Sequence, residues 1–232
     1  MIGKYKILII TLFGAMMLAS NIASASVVTH EFNNGDSLAN WNVDRAAPSS
    51  FSIINNELVM SIDGDDYPDS RGNFYDTQGM QLDIGKSSYL SIDIYVDSSW
   101  SNSERFAGMW GVARNSSDDI SAYPILEYQG PGFDGPNAGF NIWDNSGWQG
   151  ITTLFDFNTF NTLEFLVTGA GIEYYLNNTL VHTDVSSGTT YLSAVILNAK
   201  NDGTSFDVRY DNLKYGSVPE PSVIALFGVG LL

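Results

Sequence analysis

The sequence predicts an all-β protein whose main part is a single antiparallel β-sandwich of the jelly-roll type. Apolar and polar residues alternate in short runs over most of the chain, as they do in strands that bury one face. Clusters of Asn, Asp and Gly separate these runs, and such residues tolerate the positive φ of tight hairpin turns. No stretch between residues 28 and 215 has helical spacing, so we expect roughly a dozen short strands.

Five segments show the alternation most clearly, each with its apolar residues at every second position. In the first half of the chain these residues are Leu58, Met60 and Ile62, then Met80, Leu82 and Ile84, then Leu90, Ile92, Ile94 and Val96. In the second half they are Leu163, Phe165 and Val167, then Phe206, Val208 and Tyr210. The turns predicted between strands lie at Asn55-Asn56, Asp63 to Asp66, Asn177-Asn178, Ser186 to Gly188 and Asn201 to Gly203.

The composition excludes several classes of function. Among 232 residues, 26 are acidic and 10 are Lys or Arg, which gives a formal net charge of −16. Nucleic acid is therefore not expected as a partner, because its phosphates are bound by clustered Lys and Arg. The chain contains no cysteine, which excludes disulfide bonds, thiolate metal sites and a cysteine nucleophile.

Residues 1–25 have the pattern of a secretory signal peptide, a short apolar helix that signal peptidase removes. Two lysines precede an apolar stretch from Ile7 to Leu18, and Ala23-Ser24-Ala25 supplies small residues at the cleavage site. We therefore expect cleavage before Ser26 and secretion of the mature protein. The alternative is an uncleaved anchor helix, for which the apolar stretch is short.

The other end of the chain contains the motif Val218-Pro219-Glu220-Pro221, followed after one serine by a run of apolar residues and glycines. This arrangement resembles the PEP-CTERM sorting signal of exopolysaccharide-producing Gram-negative bacteria. The resemblance implies handling by an exosortase, transient membrane association through residues 219–232, and a final place in the cell envelope, at the cell surface or in the extracellular matrix. The apolar run is about half as long as a spanning helix needs, and no basic residue follows it. We therefore expect a short apolar C-terminal segment, and either the chain is truncated here or the signal is incomplete.

Residues 26–218 remain between the two end segments, and no linker or repeat divides them. Phe160 to Thr168, followed by Gly171 to Asn178, resembles the paired strands of concanavalin A-like and laminin-G-like sandwiches. The segments Glu31 to Gly35 and Tyr210 to Leu213 resemble the first and last strands of lectin-like jelly rolls. The resemblance implies one lectin-like, concanavalin A-like domain. Two tryptophans are expected in its core, namely Trp41 and Trp110.

Residues 123–150 are the most unusual segment, since they combine Gly, Asn, Asp and Tyr with two of the five tryptophans. Sugar rings stack on flat aromatic side chains, while carboxylates and amides reach the sugar hydroxyls. The alternative is that the two tryptophans pair across the strands of a hairpin. The candidate stacking residues are Trp143, Trp148 and Tyr128, and the candidate polar contacts are Asp144, Asn145 and Gln149.

These observations favour a secreted, lectin-like protein that binds exopolysaccharide or another glycan without catalysis. Neutral glycans are the expected ligands, because a strongly acidic domain repels polyuronates at low salt. Two alternatives stay open. One is a structural matrix or biofilm protein without a specific sugar site, and the other is a glycoside hydrolase or lyase whose active site no motif reveals.

Two acidic groupings are candidates for a structural calcium ion, which takes about six to eight oxygen ligands. The first comprises Asp63 and Asp65, with two further aspartates as far as Asp69. The second pairs Glu31 of the first strand with Asp211 of the last, as the resemblance to jelly rolls suggests. The alternative for both is a solvated surface in a strongly acidic chain.

Motifs of known catalytic sites are absent from the sequence. Retaining glycosidases of this fold class use a Glu-x-Asp-x-x-Glu strand that brings two carboxylates about 5 Å apart, and the nearest string, from Asp93 to Asp97, lacks both glutamates. No nucleophile elbow, His-Glu-x-x-His or phosphate loop occurs either. His30 and His182 lie in predicted strands outside any motif, so we expect them to be structural. The sequence alone thus predicts a protein that is not an enzyme.

Overall fold

Two antiparallel β-sheets pack face to face in the computed structural model, which describes residues 26–66, 77–131, 138–151 and 153–218. The predicted all-β sandwich is confirmed. The signal peptide 1–25 and the sorting segment 219–232 lie outside the described residues, so both stay predictions.

The strands are short and follow one another closely along the chain. They are β1 (Ser26–His30), β2 (Trp41–Asp44), β3 (Ser50–Ile54), β4 (Glu57–Ile62), β5 (Thr77–Ser87), β6 (Tyr89–Val96), β7 (Phe106–Arg114), β8 (Ile120–Ala122), β9 (Ile125–Gln129), β10 (Gly139–Asp144), β11 (Gly147–Gly150), β12 (Thr159–Thr168), β13 (Gly171–Leu176), β14 (Thr179–Asp184), β15 (Tyr191–Lys200) and β16 (Phe206–Ser217). Two 3-10 turns, Gly64–Asp66 and Ser98–Asn102, lie between them. In this part of the chain no helix has the length and apolar character that crossing a membrane requires.

Sheet I has the strand order β14-β13-β12-β6-β16-β4-β3, with β1 also paired to β16. Sheet II has the order β11-β10-β9-β7-β15-β5-β2, with β8 also paired to β7. Neighbouring strands in both sheets run antiparallel. The chain passes repeatedly between the two sheets, so residues far apart in sequence become neighbours within each sheet.

Side chains from both sheets form one apolar core. On β12 the side chains of Leu163, Phe165 and Val167 are buried, whereas the residues between them are only half-buried. This is the predicted alternation, since successive side chains of a strand point to opposite faces of the sheet. Burial of one such side chain contributes about 1.5–3 kcal/mol, so the core is the main source of stability.

Pairs of asparagines form the turns of two hairpins. Asn55 and Asn56 join β3 to β4 with φ values of 55° and 61°, and Asn177 and Asn178 join β13 to β14 with 50° and 64°. Two successive residues with positive φ are typical of the type I′ turn, which matches the twist of the flanking strands. The predicted turn chemistry is therefore confirmed at both hairpins.

Sheet II differs from sheet I because strands β7 and β9 are buried on both of their faces. Eight consecutive residues of β7, from Phe106 to Ala113, are buried, and so are all five residues of β9. One face of these strands contributes to the core. The outer face has a second apolar cluster of Trp110, Val112, Ile125, Ala194 and Ile196, against which Trp143 and Trp148 pack.

The two tryptophans expected in the core, Trp41 and Trp110, are both buried. Trp41 lies between the sheets, and Trp100 lies there as well. Trp110 is also buried, but it belongs to the outer cluster of sheet II. The predicted burial of Trp110 is therefore confirmed, but the sequence did not reveal which face of sheet II it occupies, because a strand buried on both faces gives no periodic signal that assigns a side chain to either face.

Candidate active site

A row of polar side chains and glycines crosses the outer face of sheet II. Leu126 and Tyr128 of β9 lie in the core, so the intervening Glu127 points to the outer face. Backbone pairing places one residue of each successive strand in line with Glu127. From β2 to β11 this row, the Glu127 row, consists of Asp44, Gly79, Asn198, Gly108, Glu127, Asn141 and Gly150.

Glu127 is fully buried, and two side chains donate hydrogen bonds to its carboxyl group. The indole Nε1 of Trp110 lies 3.1 Å from Oε2, and Nε2 of Gln129 lies 2.8 Å from Oε1. Burial raises the pKa of Glu127 to about 8, although the two donors and the charge of Arg45 act in the opposite direction. At neutral pH this carboxyl group therefore keeps its proton.

The amide of Gln129 can serve the protonated form of Glu127. Its Oε1 is buried and has no hydrogen-bond partner among the residues described. The two ends of a glutamine amide exchange places by a half-turn, which would bring this oxygen to the carboxyl group. A protonated carboxyl group would then donate to Oε1 of Gln129. The carboxyl oxygens of Glu127 can therefore form hydrogen bonds whether the group is protonated or ionised.

Glycine at position 108 gives the side chain of Glu127 its space. A Cβ atom at Gly108 would overlap the backbone and Cβ of Glu127 on the neighbouring strand. On the other side of Gly108 lies Asn198, whose side chain is fully buried. Neither its Oδ1 nor its Nδ2 has a hydrogen-bond partner among the described residues. An amide with free donor and acceptor groups thus lies two strands from the proton-bearing carboxyl group.

The next row of the outer face is largely apolar and aromatic. It runs parallel to the Glu127 row through Gln81, Ile196, Trp110, Ile125, Trp143 and Trp148. The guanidinium carbon of Arg45 lies 4.4 Å from the centre of the Trp110 ring. Desolvation lowers the pKa of Arg45, and an arginine remains charged despite such a shift because its ordinary pKa is so high.

Two of the predicted sugar-stacking residues, Trp143 and Trp148, lie on this outer face. They are cross-strand partners on β10 and β11, with ring centroids 5.5 Å apart and planes at 66°. The two rings therefore form a cross-strand aromatic pair, which was the alternative to sugar stacking that the sequence left open. Both rings are half-buried, so each also retains some surface for a ligand.

The third candidate, Tyr128, points to the opposite face of sheet II. It is 1% exposed and packs against Trp100 and Phe140 in the core. Its proposed role as a stacking residue is wrong, because adjacent residues of a strand alternate between faces. Tyr128 therefore stabilises the sandwich rather than a ligand.

The predicted polar contacts do not accompany the tryptophans either. Asp144 is buried, and its Oδ2 lies 2.9 Å from Nε2 of both Gln149 and His182. Because His182 belongs to β14 of sheet I, this cluster bridges the two sheets. Asn145 uses its Nδ2 to donate to the carbonyl oxygen of Ser121. Of the six predicted sugar contacts, the outer cluster of sheet II contains only the two tryptophans.

Hydrogen bonds fix the charge of Asp144. Burial by itself would raise the pKa of this carboxyl group, but the hydroxyl and amide of Ser146, together with His182, hold the pKa below its usual value. The carboxylate therefore stays ionised in this cluster. Its structural role, and that of His182 beside it, is to join β10 to β14.

The acidic groupings considered for calcium lie apart from the Glu127 row. Oδ1 of Asp63 accepts hydrogen bonds from the amide of Asp65 and the hydroxyl of Ser205. Burial raises the pKa of Asp211, and the charge of Glu31 acts in the same direction. The described ranges contain no group of three or more His, Asp or Glu side chains placed to hold a metal ion. Asp69 lies outside them, and structural calcium stays a prediction.

The other residues considered for catalysis have structural contacts. Asp93 accepts hydrogen bonds from Thr162 and Asn212 within sheet I, and Asp97 caps the 3-10 turn that follows β6. Nε2 of His30 lies 3.2 Å from the hydroxyl of Tyr215. None of these three side chains faces the outer surface of sheet II.

Sequence reasoning missed Glu127, Asn198 and Arg45. The signal for Glu127 was a single acidic residue within the apolar strand from Ile125 to Tyr128. Such a residue in a strand buried on both faces is rarely tolerated without a partner or a function. The signal for Asn198 is similar, since it ends the apolar run of β15.

Several solved structures share this fold, although no protein-family model and no curated protein matches the chain. A β-glucanase of Bacillus licheniformis is 14% identical, with a TM-score of 0.57 over 83% of this chain and 99% of that one. The catalytic domain of a laminarinase from Thermotoga petrophila is 14% identical, with a TM-score of 0.56 over 83% and 97%. A lichenase from a mouse hindgut metagenome is 14% identical, with a TM-score of 0.54 over 83% and 100%.

These matches contradict the prediction of a lectin-like protein without catalysis, and with it the prediction that the chain is not an enzyme. The matched proteins are glycan-cleaving enzymes by name, and their whole lengths align with this chain. Absence of the two-glutamate strand motif was the reason for excluding catalysis. That reason is insufficient, because a sandwich can bury a glutamate on the outer face of a sheet without the motif, as it does at Glu127.

Proposed function

We propose that this protein is a glycoside hydrolase in which Glu127 is the proton donor. The observation that supports this most directly is the pKa of about 8 that burial gives to Glu127. A carboxyl group with this pKa holds its proton at neutral pH, and cleavage of a glycosidic bond requires a proton at the leaving oxygen. The fold shared with three glucanases supports the same proposal.

The proposed step transfers the proton of Glu127 to the glycosidic oxygen. The bond between that oxygen and the anomeric carbon breaks as the proton arrives, which leaves Glu127 ionised. A water molecule then supplies its oxygen to the anomeric carbon, and the proton that it releases restores protonated Glu127. The indole of Trp110 and the amide of Gln129 stabilise the carboxylate while it lacks its proton.

Most glycosidases use a second carboxylate near the proton donor. Such a group lies about 5–9.5 Å from the proton donor. The other carboxylate of the Glu127 row is Asp44, four strands away, which at roughly 4.8 Å per strand is about 19 Å. The parallel row through Trp110 contains no acidic residue in the strands that the structure describes.

The aromatic side chains of the outer face support a glycan substrate. Trp143 and Trp148 present partly exposed apolar rings close to Glu127. Asn141 is the cross-strand partner of Glu127, and Trp143 lies two residues after Asn141 on the same strand. Aromatic rings of this kind stack on the apolar faces of sugars. β-Glucans are the first substrates to test, because the matched proteins are glucanases by name.

The test compares Glu127→Gln with Glu164→Gln on a panel of soluble glycans. The first variant removes the proton but keeps the shape of the side chain, so we expect the rate of cleavage to fall by about 10²–10⁴-fold. Glu164 is a matched control, because it is a partly buried glutamate on sheet I that accepts a hydrogen bond from Tyr89. Release of reducing ends measures cleavage.

Two results would contradict the proposal. One is an active wild-type protein that loses no activity in Glu127→Gln. The other is an absence of cleavage on every glycan of the panel by folded wild-type protein. A loss of activity in both glutamate variants would instead indicate a general effect of the substitution rather than a role of Glu127.

A further inference from the structure

An open pocket of about 560 Å³ lies on the outer face of sheet II, beside the Glu127 row. Strands β2, β5, β7 and β15 contribute to its lining. Trp110 links this pocket to the proposed proton donor, because its ring lines the pocket and its indole N–H donates to Glu127. A ligand in the pocket therefore lies next to the proposed cleavage site.

Positive charge is concentrated in this pocket. Apart from the two lysines of the signal peptide, the chain has eight Lys and Arg residues, and three of them, Arg45, Lys86 and Arg114, line the pocket. The carboxylates in the lining are Asp44 and Asp83. Three positive and two negative groups give the lining a formal charge of +1, in a chain whose formal net charge is −16. With the carboxylate of Asp118, which pairs with Lys86 outside the lining, the local charge is zero, so the pocket repels an anion less than the rest of this acidic surface does.

The three cations differ in the partners that they already have. Arg45 forms an ion pair with Asp44 at 2.8 Å, and Lys86 forms one with Asp118 at 2.9 Å. Arg114 forms no ion pair with any residue in the described part of the chain. Its positive charge is therefore the one most available to an anionic ligand.

Two neutral oxygen atoms hold the guanidinium group of Arg114 in place. Its Nε lies 3.0 Å from the hydroxyl of Ser193, and one Nη lies 2.6 Å from the carbonyl oxygen of Asp118. These contacts orient the planar group without neutralising it. An arginine presents its N–H groups as a fork that fits the oxygens of a carboxylate or a sulfate.

Aromatic rings complete the lining of the pocket. Trp110, Tyr123 and Tyr191 contribute to it, and such rings stack on the apolar face of a sugar. The hydroxyl of Tyr191 donates to Asp118 at 2.8 Å, which fixes that ring near Lys86. A cationic fork beside flat rings suits a sugar that bears an acidic substituent.

We propose that the pocket binds an acidic sugar residue of the substrate, with its anionic group at Arg114 and its ring against Trp110. The proposal rests on the proposed glycan-cleaving function and names the substrate class. It departs from the neutral glycans expected from net charge. At physiological salt the Debye length is about 8 Å, so the distant carboxylates of the chain are screened while the contacts within the pocket are not.

The experiment measures binding of three short oligosaccharides of equal length to the full chain by calorimetry at about 0.15 M salt. The probes are an oligouronate, its neutral methyl ester and a sulfated neutral oligosaccharide. We expect the wild type to bind one of the anionic probes about tenfold more tightly than the ester. Tighter binding of the oligouronate identifies a carboxylate as the ligand group, and tighter binding of the sulfated probe identifies a sulfate.

Variants separate the pocket from the rest of the surface. Arg114→Gln is expected to lose the preference for the anionic probe. Lys214→Gln makes the same change of charge at an exposed position of sheet I, and we expect it to keep the preference. Glu127→Gln is expected to bind with the same preference as the wild type. Failure of the proton-donor proposal therefore shows in the cleavage assay, and failure of this one shows in binding.

Equal binding of all three probes by the wild type would overturn the proposal, as would a preference that survives in Arg114→Gln. If Arg114→Gln does not fold, Arg114→Lys keeps the charge but not the fork and is expected to weaken the preference. In addition, we expect about 1 M salt to weaken binding of the anionic probe to the wild type and to leave binding of the neutral ester unchanged. Binding of the anionic probe that is insensitive to salt would overturn the proposal as well.

Discussion

The outer faces of the two sheets differ in what they expose. On sheet I, strand β12 alternates buried and half-buried residues, and its outward residues include Thr162 and Glu164. On sheet II, strands β7 and β9 are buried on both faces, and their outward residues include Trp110 and Glu127. One outer face is an ordinary solvated surface, and the other combines an apolar cluster with a buried acid.

This difference identifies the part of the molecule in which the choice of residues is not explained by stability alone. A solvated outer face needs no buried apolar cluster, and on sheet I rings such as those of Tyr95 and Phe160 pack together while they stay partly exposed. A fully buried carboxyl group costs free energy when it is ionised. The outer face of sheet II contains such a group, which is the arrangement expected of a site that serves chemistry.

The largest expected effect is on the pH dependence of stability. The folded chain holds the proton of Glu127 up to a pKa of about 8, whereas the unfolded chain releases it near 4.5, the ordinary pKa of a glutamate. Between these values the folded state binds more protons, so the wild type loses stability relative to Glu127→Gln as the pH rises. The loss amounts to roughly 5 kcal/mol across the window and stops above it. Chemical denaturation of both proteins at a series of pH values measures it, and parallel curves would contradict a buried acid.

The second prediction compares adjacent residues of β12 on sheet I. Phe165 is fully buried in the core, so we expect Phe165→Ala to lower the free energy of unfolding by about 3–5 kcal/mol. Its neighbour Glu164 faces outward, and Glu164→Gln is expected to cost about 1 kcal/mol or less. Thermal or chemical denaturation measures both. Similar losses in the two variants would mean that sheet I, like sheet II, depends on its outer face.

The third prediction concerns Trp148, whose truncation is expected to destabilise the protein less than that of Phe165. This half-buried ring packs against Trp143 and Phe106, so we expect Trp148→Ala to lower the free energy of unfolding by about 1–2 kcal/mol. The same variant should weaken retention in a gel that contains a bound glycan. Leu180→Ala removes an exposed apolar side chain from sheet I and is the control. Unfolding of Trp148→Ala with unchanged glycan retention in its folded fraction would make the aromatic pair purely structural.

The sequence predicted those parts of the fold in which local pattern determines structure. Leu163, Phe165 and Val167 alternate with polar residues because sheet I meets water on one side. The turn at Asn55-Asn56 follows from local backbone chemistry alone. Neither inference requires knowledge of which strands become neighbours.

The candidate site was beyond the same reasoning for two physical reasons. Strand β9 is buried on both faces, so no period reveals that Glu127 and Tyr128 point in opposite directions. Asn198 and Glu127 share a row through the pairing of β15 and β9 with β7, and the register of such distant strands is not readable from sequence. The interpretation of residues 123–150 as one surface failed similarly, because Trp143 and Asp144 are adjacent and face apart.

The alternation of side chains and glycines in the Glu127 row fixes a distance as well as a composition. Asp44, Asn198 and Glu127 are each separated by one strand that contributes a glycine. Two strand spacings amount to roughly 10 Å, so the backbone hydrogen bonds between strands fix the distance between successive polar side chains of the row. Loops around the sheet can change in length or sequence without changing this distance. New ligand preferences could therefore evolve at the rim while the spacing of the polar groups stays constant.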